Sequence, residues 1–188
     1  MGVPGQDEDK HLTVTNKWIH AMTLPRELSI KDGKVNQTPI KELEILREEI
    51  VHQLNLSLTE SDQQFIDMDK ETAELLLEVD DQSTERLEIS IRGEVRLIFN
   101  QEKKVFTLER KSFVDGLMER RQCELKNLQQ LQVFLDASTI EVFVNNGEEV
   151  FTARMFPFEE YKQVKIGSVG ETTINLSHWN LKSHSQVF

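Results

Sequence analysis

Residues 136–157 read DASTIEVFVNNGEEVFTARMFP, and this stretch decides the fold. Two series of side chains alternate along its first half, Ile140, Val142 and Val144 against Glu141 and Phe143. This two-residue period is typical of a β-strand with one face in a core. Asn146-Gly147 then supplies residues that adopt positive φ readily, and residues 150–155 return as a second strand. The stretch predicts an antiparallel β-hairpin with a tight turn.

The same period of two recurs at residues 54–58, 87–91, 95–99 and 131–135, and residues 75–79 form a short apolar run. Further strands are indicated at residues 105–110, 163–169 and 172–181. Short strands separated by turns at such regular spacing are the pattern of a β-sandwich. We therefore predict an all-β fold, with two packed antiparallel sheets of the jelly-roll or concanavalin-like type. No internal repeat is visible, so a propeller or a solenoid does not fit these residues by themselves.

The amino-terminal third is less regular. Residues 18–30 form an extended run in which Pro25 marks an edge position or a bulge, and Asp32-Gly33 marks a turn. Residues 40–54 have a different period.

Four apolar residues there recur at spacings of three and four: Leu43, Leu46, Ile50 and Leu54. This spacing predicts the one short helix of the fold.

Composition narrows the functional classes. A chain of 188 residues with 38 % hydrophobic residues fits a single globular domain, and its formal net charge of −11 disfavours a nucleic-acid partner. No apolar run approaches the about 20 residues of a membrane span, so no membrane partner is expected. Cys123 is the single cysteine, which favours a reducing compartment. Together with the absence of signal-peptide features at the start, it predicts a cytoplasmic protein, with a secreted parent left open.

The sequence offers no clear catalytic or metal site. Asp136 and Glu141 are the tempting carboxylate pair, but Asp136 precedes a turn and Glu141 lies on the polar face of its strand, so we interpret both as structural. None of the five histidines lies within four positions of another histidine or of Cys123. We predict no catalytic residue, no metal ligand and no cofactor.

Four stretches together resemble one known family. Residues 24–43, LPRELSIKDGKVNQTPIKEL, resemble its Leu-Pro-Arg-Glu-Leu strand, Asp-Gly turn and Gln-x-Pro-x-x-Glu-Leu run. Residues 136–157, residues 1–4 (MGVP) and residues 176–181 with Trp179 resemble further parts of it in the same order. The chain thus resembles the closing β-sandwich of glycoside hydrolase family 32, which contains invertases, inulinases, levanases and sucrose-6-phosphate hydrolases.

The resemblance implies that the catalytic residues lie in a domain other than this sandwich. Family members join a five-bladed catalytic propeller to this sandwich, with catalytic carboxylates in Asn-Asp-Pro-Asn-Gly, Arg-Asp-Pro and Glu-Cys motifs. This sequence contains neither an Asp-Pro nor a Glu-Cys dipeptide, so no catalytic residue can be assigned to it. We expect residues 1–17 to be a remnant of the interdomain junction and residues 18–188 to be the sandwich. The parent is then a β-fructofuranosidase, and the chain alone is inactive.

The resemblance also indicates where the propeller would be contacted. The candidates nearest the junction are Trp18, Arg26, Glu27, Pro39 and Glu42. Interfaces between domains mix polar and apolar side chains, as this set does. The alternative is that the apolar members are core residues and the charged members are surface residues.

Two other functions stay open at this stage. A carbohydrate-binding module would bind sugar through exposed aromatic residues, and Trp179, near the carboxyl end of the chain, is the candidate. A module that forms homo-oligomers is the other alternative.

Overall fold

The computed structural model describes residues 2–3, 21–60, 62–80, 84–158 and 160–182. These residues form β-strands and one short 3-10 helix, Lys41–Leu46. The first eight strands are β1 (Gly2–Val3), β2 (Ala21–Met22), β3 (Arg26–Lys31), β4 (Lys34–Pro39), β5 (Arg47–Leu58), β6 (Gln63–Asp67), β7 (Ala73–Val79) and β8 (Arg86–Ile91). The others are β9 (Val95–Asn100), β10 (Val105–Lys111), β11 (Met118–Glu124), β12 (Gln130–Leu135), β13 (Thr139–Val144), β14 (Glu149–Arg154), β15 (Gln163–Val169) and β16 (Thr172–Leu181).

Two six-stranded sheets make up the body of the fold, and all their strand pairs are antiparallel. One has the strand order β11-β10-β9-β8-β15-β6 and is called the bare sheet. The other has the order β14-β13-β12-β7-β16-β5 and is called the covered sheet, because the amino-terminal segment packs on its outer face. The predicted two-sheet antiparallel sandwich is confirmed.

The main core lies between the sheets. In β8 and β9 every second side chain is buried, as the alternation in the sequence predicts, and the same rule holds along most of β16. The largest fully buried side chains include Phe106, Leu75, Leu97 and Ile89. Each such aliphatic or aromatic side chain stabilises the fold by about 1.5–3 kcal/mol relative to an exposed one.

The decisive hairpin is present as β13 and β14, but its turn is longer than the dipeptide suggests. Val144 pairs with Glu149, so four residues form the loop, and φ is positive at Asn145 (48°), Asn146 (55°) and Gly147 (85°). Asn145 stabilises the loop through its side chain, which accepts the N–H of Gln129 at 2.8 Å and donates to the carbonyl of Asn127 at 2.7 Å.

The predicted helix over residues 40–54 is wrong beyond its first turn. A 3-10 helix covers Lys41–Leu46, and from Arg47 the chain is β5, an edge strand that pairs with β16. Leu43 and Leu46 pack on the covered sheet, whereas Ile50 and Leu54 are partly exposed on the edge strand. The spacing of three and four thus runs by chance across two different elements, the 3-10 helix and β5.

None of the helical segments within the described residues has the length and apolar character needed to cross a membrane. Residue 18 and most of residues 1–17 lie outside the described part of the chain, so the predicted domain boundary stays a prediction.

One buried side chain makes the stability of the sandwich depend on pH. His178 of β16 is fully buried, faces Leu75 across the strands, and meets the ring of His52 edge-on at 5.4 Å between centroids. Neither ring nitrogen has a hydrogen-bond partner among the described residues. Burial, followed by repulsion from His52, lowers the pKa of His178 to about 4, while Asp69 opposes the shift.

This predicts a loss of stability in mild acid. Between pH 6.5 and pH 4 the unfolded chain binds a proton at His178 that the folded chain excludes, so the free energy of unfolding falls as pH falls, by up to about 3 kcal/mol for this group. Urea unfolding at a series of pH values measures the slope. His178→Leu should flatten it, and His52→Leu should retain most of it because burial is the larger cause. An unchanged slope in His178→Leu would contradict the buried neutral imidazole.

Candidate functional site

The amino-terminal segment forms a third layer on the sandwich. Residues 21–47, called the strap, contain β2, the β3–β4 hairpin and the 3-10 helix, and they end at Arg47, the first residue of β5. Strap side chains and outward side chains of the covered sheet form an apolar cluster separate from the main core, made of Leu24, Ile40, Leu43, Leu46, Phe134, Phe143, Val150 and Leu181. The outer face of this sheet is therefore a second buried interface.

The first attachment of the strap is a buried ion pair. Arg26, at the start of β3, lies with its Nη2 2.6 Å from Oε2 of Glu141, and their side chains are only 10 % and 5 % exposed. The same Nη2 donates to Oγ1 of Thr152 at 2.8 Å, and Nη1 donates to Oε1 of Gln37 at 3.1 Å. The backbone N–H of Leu24 donates to the other oxygen of Glu141 at 2.6 Å. Both carboxylate oxygens are thereby bonded to the strap.

The second attachment is at the opposite end of the strap. Arg47 donates from Nε and Nη2 to the two oxygens of Glu74, both at 2.8 Å, in the bidentate geometry that guanidinium and carboxylate favour. Gln132 donates a third hydrogen bond to this carboxylate at 2.7 Å, and Glu74 is 1 % exposed. The hydrogen bond to Glu74 raises the pKa of Arg47, although burial opposes the shift.

The two carboxylates belong to one row across the covered sheet. Phe134 of β12 is directly opposite Glu74 on one neighbouring strand and Glu141 on the other. The row therefore alternates acid, aromatic ring and acid, and each acid receives its arginine from one end of the strap. Burying an ion costs several kcal/mol unless it is paired, so each carboxylate depends on the strap for its counter-ion.

Backbone contacts fix the hairpin of the strap to the β13–β14 loop. The N–H of Gln37 donates to the carbonyl of Gly147 at 3.0 Å, and the side chain of Asn36 donates to the carbonyl of Asn146 at 2.9 Å. A Cβ atom at Gly147 would collide with the carbonyl oxygen of Gln37. Glycine is thus required there by the approach of the strap as well as by its φ of 85°.

The structure places the predicted interface residues in different surroundings. Arg26 forms the first attachment, Pro39 is half-buried at the end of β4, and Glu27 and Glu42 are exposed. Trp18 lies outside the described residues. A contact with another domain is tested for none of them, so that role stays a prediction.

Trp179, the predicted sugar-binding candidate, lies in the same row of the covered sheet, opposite Glu74. The guanidinium of Arg47 lies over its ring at 4.3 Å from the centroid. One face of the ring is therefore occupied by the second attachment of the strap.

Asp136 and Glu141 both line one small cavity of about 180 Å³, but each carboxylate accepts hydrogen bonds from nearby residues of the fold. Asp136 accepts the N–H of Ala137 at 2.8 Å, and Glu141 is held by Leu24 and Arg26. Burial raises the pKa of the Cys123 thiol to about 12, which leaves it protonated and unreactive at neutral pH. Within the described ranges no cluster of three potential metal ligands occurs.

Sequence reasoning missed the importance of Glu74, Glu141 and Arg47. A usable signal was present, because Phe134 and Phe143 lie in the outward series of their strands, where a solvent-facing sheet would carry polar side chains. Large apolar residues in both series of a strand indicate that both faces are covered.

The strap itself presents apolar side chains to solvent. Its exposed members, with their exposed fractions, are Met22 (87 %), Leu28 (64 %), Ile30 (79 %), Val35 (59 %) and Ile45 (70 %). Apolar side chains concentrated in this way on one segment are a common mark of an interaction surface.

Comparison with known proteins agrees with this architecture. The family model described as "Glycosyl hydrolases family 32 C terminal" matches residues 42–182. A sucrose-6-phosphate hydrolase from Bacillus subtilis (strain 168) is 39 % identical over 181 residues, which are 96 % of this chain and 37 % of the relative.

Solved structures show the same fold. An exo-inulinase from Aspergillus awamori aligns with a TM-score of 0.76 and 21 % identity over 88 % of this chain and 37 % of its own. A sucrose-6-phosphate hydrolase from Lactobacillus gasseri aligns with a TM-score of 0.69 and 20 % identity over 92 % of this chain and 36 % of its own. The chain thus spans little more than a third of the length of the proteins it matches.

The first attachment gives a prediction about stability. Arg26→Met and Glu141→Leu should each lower the free energy of unfolding by about 3 kcal/mol, since each leaves one buried group of the pair without its counter-ion. The double variant Arg26→Met/Glu141→Leu should lose less than the sum, because no charge is then left buried. Urea unfolding at neutral pH measures the cycle.

A surface pair provides the control. Lys70→Met breaks an ion pair with Glu48 whose side chains are 41 % and 27 % exposed, and it should cost less than about 1 kcal/mol. Costs at position 26 or 141 no larger than this control would contradict the anchoring role.

The close approach at the loop gives a second prediction. Gly147→Ala should destabilise the protein by more than about 2 kcal/mol, because it adds a steric conflict with the strap to the cost of positive φ. Gly33→Ala is the matched control, since its φ is 77° and no atom lies within 4 Å of the added Cβ; it should cost about 1 kcal/mol. Equal thermal shifts for the two variants would show that the strap does not press on the loop.

Proposed function

The chain belongs to glycoside hydrolase family 32, as the C-terminal domain of that family, and on this premise we propose that it is the non-catalytic sandwich of a β-fructofuranosidase, which docks and supports an amino-terminal catalytic propeller. The family model matches residues 42–182, about three quarters of the chain. The relatives are almost three times as long as the part of them that this chain matches. The remaining length is where the proposal places the catalytic domain.

The exposed apolar side chains of the strap are the observation that carries the proposal. They lie at the amino-terminal end of the sandwich, which is the end that a preceding domain would join. Ile30 and Val35 are directly paired across the β3–β4 hairpin, and Leu28 shares their face two residues along β3. Three neighbouring aliphatic side chains exposed by more than half are expensive to leave in water, and contact with another domain would bury them.

The two arginine attachments explain how the strap could hold a docked domain in a fixed orientation. A flexible strap would contribute little to the orientation of a docked domain, since its ordering would oppose docking. Here Arg26 and Arg47 fix the two ends, and the apolar cluster fixes the middle. The docked domain would therefore rest on a surface that is already ordered.

The chemistry would then belong entirely to the other domain. Hydrolysis of a glycosidic bond commonly uses two carboxylates that face one cleft across the bond. Three glutamates are buried among the described residues. Glu74 and Glu141 lie beneath the strap with arginine partners, and Glu109 lies on the bare sheet between Arg96 and Arg120. We infer sucrose 6-phosphate as the substrate of the parent enzyme, from the name of the Bacillus subtilis relative. The cytoplasmic location and homo-oligomer formation remain predictions.

A chimera tests the proposal. The part of the Bacillus subtilis relative that precedes the matched region is joined to this chain, and hydrolysis of sucrose 6-phosphate and the thermal midpoint are measured for the chimera and for the chain alone. We expect the chimera to hydrolyse the substrate and the chain alone to be inactive. Ile30→Asp should lower the midpoint of the chimera by several degrees and change that of the chain alone little, because the side chain is exposed there.

The control is Phe65→Asp, which changes a 57 % exposed apolar residue on the bare sheet and should leave the chimera unaffected. Hydrolysis by the purified chain, or equal effects of the two substitutions on the chimera, would overturn the proposal.

A further inference from the structure

A second feature lies away from the strap, at one end of the sandwich. Three connections and Ala137 of the β12–β13 turn surround a cavity of about 170 Å³ there; the three are the loop from β6 to β7, the β8–β9 turn and the connection from β14 to β15. The residues that line it include Asp69, Lys70, Arg92, Phe158, Tyr161 and Lys162. No residue of the strap lines this cavity.

Backbone hydrogen bonds hold the cavity in shape. The N–H of Met68 donates to the carbonyl of Lys162 at 2.7 Å, which joins the first and third connections. The N–H of Arg92 donates to the carbonyl of Gln163 at 2.9 Å, which joins the second to the third. A ligand would therefore enter a site whose walls are already ordered, as is usual for small-molecule sites.

Arg92 is the unusual residue of the site. It has a φ of 49° in a turn position where glycine or asparagine is normally preferred, and yet it is 4 % exposed. Its Nη2 donates to the carbonyl of Lys70 at 2.6 Å, but its Nε has no partner among the described residues. Arg92 thus combines a strained φ with a buried guanidinium at a cavity, and strain of this kind is often found at ligand sites.

Two aromatic rings stand at the same cavity. Phe158 and Tyr161 are 64 % and 49 % exposed, and their rings meet edge-to-face with centroids 6.0 Å apart. The ring of Tyr161 packs on Gly93, where an added Cβ would be 3.5 Å from the ring. Exposed rings in fixed positions offer flat apolar surfaces to the C–H face of a ligand ring.

The charges around the cavity almost cancel. Arg92, Lys70 and Lys162 are balanced in part by Asp69 and Glu71, and Lys70 is also paired with Glu48 at 2.7 Å. Such a mixture of hydrogen-bond donors and acceptors matches hydroxyl groups, which do both, better than it matches a phosphate. The volume is smaller than the about 300–1,000 Å³ of sites for drug-sized ligands, so one ring is the size that fits.

We propose that this cavity binds one ring of a neutral carbohydrate, with Phe158 and Tyr161 against its apolar face and Arg92 as a donor to its hydroxyl groups. The site gives the sandwich a binding activity in addition to the proposed docking role, and it does not depend on that role. It would hold a sugar unit at the end of the sandwich, as a subsite separate from any catalytic centre.

The test is a titration of the whole chain with sucrose, fructose and glucose, observed by nuclear magnetic resonance. Sorbitol serves as an open-chain polyol, and sucrose 6-phosphate and inorganic phosphate serve as anions. We expect at least one neutral sugar to saturate with a millimolar dissociation constant, and sorbitol and phosphate to bind more weakly. Tyr161→Ala and Phe158→Ala should weaken binding by about fivefold or more.

Two further variants separate binding from folding. Arg92→Gly suits the positive φ of the turn and should leave the thermal midpoint near its original value while weakening sugar binding by a similar factor. Phe65→Ala removes an exposed aromatic ring elsewhere and should leave binding unchanged. The proposal is overturned if no neutral sugar saturates, if Tyr161→Ala and Phe65→Ala behave alike, or if phosphate binds more tightly than the sugars.

Discussion

The structure depends on two carboxylates that cannot be left on the face of a sheet without their arginines. Glu74 and Glu141 lie in one row of the covered sheet, on either side of Phe134, and both are almost fully buried. A buried carboxylate without a counter-ion would destabilise the fold by several kcal/mol. Arg26 and Arg47 supply the counter-ions from the two ends of one segment. The position of the strap is therefore set by charge at its ends, and the apolar cluster fills the space between them.

This constraint changes the sandwich from two layers to three. The covered sheet is buried on both faces near the strap, whereas the outer face of the bare sheet carries a series of ion pairs such as Arg86–Glu88 and Arg120–Glu109, whose arginines are substantially exposed. The asymmetry gives the molecule one side suited to water and one side that ends in an ordered strap with exposed aliphatic residues. The proposed docking role requires such a difference, because only one side should join a neighbouring domain while the other faces water.

The sequence predicted those parts of the fold that depend on residues close together along the chain. Alternation marked the strands and their inward faces, and Asn146-Gly147 marked the central hairpin. The strap was not predictable in the same way, because Arg26 and Glu141 are 115 residues apart and nothing local shows that they meet. The predicted helix over residues 40–54 was wrong for a related reason, since Leu43 packs in the apolar cluster under the strap while Leu54 belongs to an edge strand. Phe134 and Phe143, aromatic residues in the outward series of their strands, were the local signs of a covered face.

The same geometry supports the proposal that the catalytic carboxylates belong to another domain. A general acid or base must exchange its proton with a reacting atom, so at least one carboxylate oxygen has to face the substrate. In Glu141 both oxygens accept hydrogen bonds from the strap, and in Glu74 both accept from Arg47. Each carboxylate is a firm anchor because both of its oxygens accept hydrogen bonds from neighbouring donors, and for that reason neither oxygen could turn to a glycosidic bond without giving up such a partner. Chemistry and support make opposite demands on a carboxylate, which is a physical reason for the proposed separation of the two in different domains.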